Sequence, residues 1–128
     1  MKNPTLLLKP RILFLFTLLC AAIVGLQSVD AATITVQSAG DGAANAANCP
    51  GAGCRLRDAL AAVNDGDTIN FDVAVTGTIT LTSGQLVVDK SIALDGLGAD
   101  ILAVDGNAAS RVFYIGSGKN RHHFQTNH

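Results

Sequence analysis

The chain has 128 residues, is 48% hydrophobic but only 5% aromatic, and carries a formal net charge of −1. That length allows one small domain once any leader is set aside, and its few basic residues form no stripe of the kind that nucleic acid requires. Tryptophan is absent and Tyr114 is the single tyrosine, which disfavours a stacking platform for sugar rings.

Lys2, Lys9 and Arg11 form a basic start, and an uncharged run follows from Ile12 to Leu26. This is the pattern of a secretory signal peptide. As a helix the run would reach about 22 Å at roughly 1.5 Å per residue, short of the roughly 30 Å hydrocarbon core, so no permanent membrane span is expected after cleavage. Val29-Asp30-Ala31 places cleavage after Ala31, and Leu19 is too bulky to precede a lipid-modified Cys20. The part beyond Ala31 carries six basic residues against nine aspartates, a net charge of −3, and keeps Cys49 and Cys54. In an exported chain, two cysteines flanking Pro50-Gly51-Ala52-Gly53 read as a local disulfide more readily than as a metal site. Closing so short a loop contributes about 2 kcal/mol.

Thr33 to Val36 alternate polar and apolar side chains, predicting a short strand with Ile34 and Val36 on one face. Gln37 to Gly53 is rich in Gly, Ala, Asn and Asp without periodicity and reads as a loop. Leu56, Ala59, Leu60 and Val63 then fall at i, i+3, i+4 and i+7, the apolar stripe of a short helix. Arg55, Arg57 and Asp58 lie off that stripe and are expected on a solvated face. Asn64-Asp65-Gly66 ends the helix.

Beyond it the pattern switches to period two and predicts six strands: Thr68 to Phe71, Thr78 to Leu81, Leu86 to Val88, Ser91 to Leu94, Ile101 to Val104 and Arg111 to Ile115. The intervening turns contain Gly, Asn or Asp, which accept sharp corners. Ile69, Ile92 and Phe113 recur at 23 and 21 residues, and Ile79 and Ile101 at 22. Recurrence of short strands at that period predicts an all-β fold, the start of a right-handed parallel β-helix (solenoid) with an N-terminal capping α-helix. An antiparallel meander built on the Asp-Gly turns is the rival. One coil cannot bury enough to offset its own ordering, so the helix is expected to cover the open first coil with Leu56, Ala59, Leu60 and Val63. The expected coil core is Ile69, Phe71, Ile79, Leu81, Leu86, Val88, Ile92, Leu94, Ile101, Phe113 and Ile115. The expected boundaries are 1–31 for the signal peptide, 32–66 for the cap, 67–117 for about three coils and 118–128 for an aperiodic tail expected to be disordered.

Cys54-Arg55-Leu56-Arg57-Asp58-Ala59-Leu60 resembles the Cys-Ser-Leu-Arg-Glu-Ala signature of the CSLREA-type N-terminal domain of exported bacterial right-handed parallel β-helix proteins. Asn64-x-Gly-Asp-Thr-Ile-x-Phe, the Gly77 to Gly96 stretch and Asn107 to Phe113 are similar to that family as well, so the resemblance covers roughly Ala32 to Ile115. Arg55 stands where serine is usual and Asp58 where glutamate is usual. The resemblance implies an export and capping architecture on bodies of varied function. Members continue for many coils, whereas the stretch after Gly118 loses the alternation, which suggests a truncated reading frame.

The candidate carboxylates are Asp89, Asp95 and Asp105. Hydrolysis of a sugar requires two carboxyls about 5 to 10 Å apart, but each of these follows a strand beside a turn, where aspartate serves turn chemistry. Asp65 and Asp67 with Asn64 could form an oxygen cage for calcium, yet lack EF-hand spacing. His122, His123 and His128 lie in the tail, and Lys90 and Arg111 could line a groove for a sugar acid. No catalytic residue, metal site or cofactor is assigned. The reading is a secreted or cell-surface, extracellular or outer-membrane-associated, non-catalytic module of structural or adhesion type. Its unknown ligand is a polysaccharide or a host or cell surface, with no nucleic acid as partner. The alternative is the N-terminal remnant of a pectate-lyase-like carbohydrate-active enzyme.

Overall fold

The computed structural model describes Ser28, residues 30–117 and, in backbone pairing only, His123–Thr126. The signal-peptide reading therefore lies almost wholly outside the described residues, as do His122 and His128. Ala31–His128 forms one compact unit. Its elements in chain order are β1 (Thr33–Val36), a single 3-10 turn (Ala46–Asn48), α1 (Leu56–Ala62), β2 (Thr68–Phe71), β3 (Gly77–Thr80), β4 (Leu86–Val88), β5 (Ala93–Gly96), β6 (Leu102–Asp105), β7 (Phe113–Ile115) and β8 (His123–Thr126).

The strands form three small sheets, one ordered β1-β2-β5-β8, one pairing β3 with β6, and one pairing β4 with β7. Every strand pairing among the described residues is parallel, so the Asp-Gly turns do not make hairpins. The expectation of a right-handed parallel β-helix is corrected: short strands in three separate parallel sheets lie beside one helix, and they do not make up a closed solenoid. The columns that led to it are absent. Ile69 stands beside Leu94, 25 residues on, while Ile92 precedes β5 and Phe113 belongs to the third sheet beside Leu86. Ile79 stands beside Val104 and not Ile101.

Side-chain alternation explains both errors. A slip of two residues leaves every side chain on its original face, so Ile92 is still buried at 5% exposure although it is not the register partner of Ile69. A slip of three reverses the face. Leu102 and Val104 are the partly buried positions of β6, while Ile101, in the turn before it, is 47% exposed. Ile115 at the end of β7 is 43% exposed, so Ile101 and Ile115 do not enter the core.

Ile69, Phe71, Ile79, Leu81, Leu86, Val88 and Ile92 are buried, and Leu94 and Phe113 pack partly against them. Replacing Ile79 by alanine is expected to lower folding stability by about 2–5 kcal/mol, while Ile101→Ala stays within about 0.5 kcal/mol of the parent. Urea denaturation measures both, and equal losses would contradict the register between β3 and β6. A further difference concerns the tail, where His123–Thr126 pairs in parallel with β5. Ladder bonding on a sheet edge uses backbone groups, so it needs no apolar alternation.

Candidate functional site

Helix α1 packs against β1 and β4, the leading strands of two sheets. Leu56, Ala59, Leu60 and Val63 are all buried, at 1%, 0%, 7% and 2% exposure. The charged residues of the same segment are not on a solvated face. The Asp58 side chain is wholly buried, that of Arg57 is 12% exposed, and Asp41, from the loop before the 3-10 turn, is 2% exposed.

These groups form two carboxylate clamps. In the first, Asp41 takes a forked pair of bonds from Arg57, Nε to Oδ1 at 2.7 Å and Nη2 to Oδ2 at 3.0 Å. The backbone N–H groups of Thr82 and Ser83 donate to Asp41 Oδ2 at 2.7 and 3.1 Å. Arg57 also donates to the carbonyls of Gln85 and Gly84, at 2.9 and 2.6 Å. One ion pair thus joins the long loop, the helix and the turn between β3 and β4. Burial pushes the Asp41 carboxyl upward, but the Arg57 guanidinium and the surrounding backbone N–H donors outweigh it and hold it well below the usual carboxylate range.

The second clamp closes on Asp58 in the first turn of α1, where the helix dipole also favours negative charge. Its Oδ1 accepts from the backbone N–H of Asn45 at 2.8 Å and from Arg55 Nη2 at 3.0 Å. Its Oδ2 accepts from Arg55 Nε at 2.7 Å, Asn48 Nδ2 at 3.0 Å and the Arg55 backbone N–H at 3.3 Å. Arg55 also donates to the carbonyls of Asp41 and Ala43. The loop passes close to it, since a Cβ at Gly42 would lie 2.5 Å from Arg55 Nη1. Burial raises the Asp58 carboxyl, but the bonds from Arg55, Asn48 and Asn45 outweigh it and bring it down from 3.8 to about 2.

Because the folded value is depressed, the stabilisation from Asp58 is complete above the ordinary carboxylate pKa and is lost as pH falls from about 4 towards 2. Asp58→Asn is expected to flatten that part of the stability–pH curve, measured as thermal midpoint against pH. A variant curve parallel to the parent's between pH 4 and 2 would show that Asp58 is not the titrating group.

A disulfide joins Cys49 to Cys54 with Cα atoms 4.8 Å apart. The Cys54 carbonyl accepts from the backbone N–H groups of Gln37 and Ser38, which ties the bridge to the chain leaving β1. Asp67, 4% exposed, accepts from the N–H of Ala32 at 2.8 Å and of Asn64 at 2.7 Å, which holds its carboxyl low. Asp65 accepts from the Ser91 N–H at 2.7 Å. Both residues therefore fasten chain segments through amide donors.

Asp89, Asp95 and Asp105 are exposed and leave from different sheets, after β4, within β5 and at the end of β6. Asp89 lies 3.4 Å from Lys90 Nζ, and Asp105 Oδ1 accepts from the Asn107 N–H at 2.9 Å, a turn of the Asx type. Lys90 borders a groove of about 360 Å³ with Arg57, Leu60, Val87 and Asp89. Arg111 is not in that lining and lies over the Tyr114 ring, 5.7 Å from its centroid. An apolar cavity of about 180 Å³ lies between Leu56, Phe71, Leu94, Leu102, Val104 and Phe113. Among the described residues no group of three or more His, Cys, Asp or Glu is placed to hold a metal ion, and no helix is long and apolar enough to cross a membrane.

No family model matches the chain, and neither the curated proteins nor the solved structures contain a match to it. Sequence reasoning missed the Asp41–Arg57 clamp, whose partners stand 16 positions apart with no local pattern to join them. The spacing of Arg55 and Asp58, three apart at a helix start, is the one signal that could have revealed the second clamp.

Proposed function

We propose that the chain is an exported, non-catalytic cap of a surface or extracellular protein, with a structural or adhesion-type role. The observation that carries this reading is the burial of Arg57 and Asp58. In the segment that resembles the CSLREA signature, the charged residues are spent on holding α1, the long loop and the β3–β4 turn together. Arg57 borders the groove of about 360 Å³, but its three guanidinium nitrogens donate to Asp41 and to the carbonyls of Gln85 and Gly84. The basic start and uncharged run of the first 26 residues support export, and a disulfide fits an oxidising compartment.

Expression behind its own leader in a bacterial host tests both halves of the proposal. The expected product is an exported chain whose N-terminal sequence begins at Ala32 and which releases no unsaturated or reducing sugar from pectin-like polysaccharides. Retention of the uncleaved chain in the cytosol would overturn the export reading. Sugar release by the purified chain, lost on replacing Asp89, Asp95 or Asp105, would overturn the non-catalytic one.

A further inference from the structure

We propose that the Cys49–Cys54 disulfide is a redox latch on α1: oxidation seats the Asn45–Asn48 turn on the Asp58 carboxylate, and reduction releases it. The bridge spans five residues and joins the end of the 3-10 turn to the residue just before the Arg55 N-cap of α1. Five donors meet Asp58, and two of them, the Asn45 N–H and Asn48 Nδ2, belong to that turn, one on each carboxylate oxygen. The other three belong to Arg55, which travels with the helix. Asn45 also caps the turn through its side chain, accepting from the Ala47 N–H at 3.1 Å, and Asn45 Nδ2 donates to Asn48 Oδ1 at 3.3 Å. The two donors are therefore delivered as one rigid piece, and the bridge fixes that piece relative to the helix.

Without the bridge, Pro50 to Gly53 is a glycine-containing tether with many conformations. Asp58 lies fully buried, so loss of one donor on each oxygen leaves acceptor capacity to be filled. Arg55 keeps a donor on each oxygen, but departure of the turn lets water onto the carboxylate and takes away the contact that holds the first turn of α1, which then opens more often. Setting the latch joins Cys49 Sγ to Cys54 Sγ. An external disulfide such as oxidised glutathione takes up the two electrons and two thiol protons and leaves as two thiols. The switch rests on the exported reading only for where in the cell it is set.

Amide hydrogen exchange on the full chain tests the latch, in a Cys20→Ser background so that a single pair can form. On reduction with dithiothreitol, protection of the Asn45 and Val63 amides is expected to fall at least about tenfold, while that of Ala93, which donates to the Asp67 carbonyl in the sheet, changes less than about twofold. Unchanged protection at Asn45, or an equal fall at Ala93, would overturn the proposal. Coupling through the carboxylate is tested with Asp58→Asn and, as a milder change, Asn48→Ala. In each, reduction should lower Val63 protection by clearly less than in the parent. An undiminished fall in Asn48→Ala would show that the bridge acts on the helix without Asp58. Because these measurements are made in vitro, failure of export would leave them standing.

Discussion

Replacing Arg57 with alanine is expected to lower folding stability by about 3–5 kcal/mol, the range for removing one partner of a buried ion pair. Asp41 is 2% exposed in the parent, and the change leaves its carboxylate with only backbone donors and takes the Arg57 donors from the Gly84 and Gln85 carbonyls. Arg57→Lys should recover only part of the loss, because an ammonium cannot present the two parallel bonds that the fork supplies. Urea denaturation followed by circular dichroism measures both variants. A loss below about 1 kcal/mol for Arg57→Ala would mean that water reaches the pair freely and that it behaves as a surface salt bridge. The clamp is not therefore a net source of stability against an apolar replacement, since desolvating both charges offsets much of their attraction. Its contribution is positional: it decides which loop, which helix face and which turn meet.

Leu56→Ala is expected to cost about 3–5 kcal/mol, towards the upper part of the range for buried leucine. Leu56 is 1% exposed and also lines the apolar cavity of about 180 Å³, so truncation enlarges a space that already exists. Leu60→Ala should cost less, because Leu60 is 7% exposed and borders a groove also lined by Arg57, Asp89 and Lys90, which water can enter. The urea midpoints of the two variants, compared at equal slope, provide the check. Equal midpoints would show that the cavity does not influence the penalty.

Which parts of this fold could be read from the sequence follows from what each pattern encodes. The stripe of Leu56, Ala59, Leu60 and Val63 was legible because helical spacing alone places those four side chains on one face, whatever covers it. The strands beginning at Thr33, Thr68 and Leu86 were legible for the same reason, since alternation is local. Register was not. Nothing in the alternation of Ile92-Ala93-Leu94 says whether Ile92 or Leu94 meets Ile69, and the choice is made by turn lengths that carry no apolar code. Asp58 departs from the expected solvated face because residue type alone does not decide exposure. A carboxylate with five donors can be buried, and four of its bonds come from side chains or from residues ten or more positions away.

In the three sheets, no strand from β1 to β8 bonds to its immediate successor other than β1 to β2, and even that step joins Thr33 to Thr68. Each ladder must wait until at least 25 further residues have been synthesised before its second rail exists. Folding is therefore expected to be slow, because distant closures must be made before they are rewarded. A nascent chain of this kind holds one half of each ladder among the described strands until the partner strand has emerged.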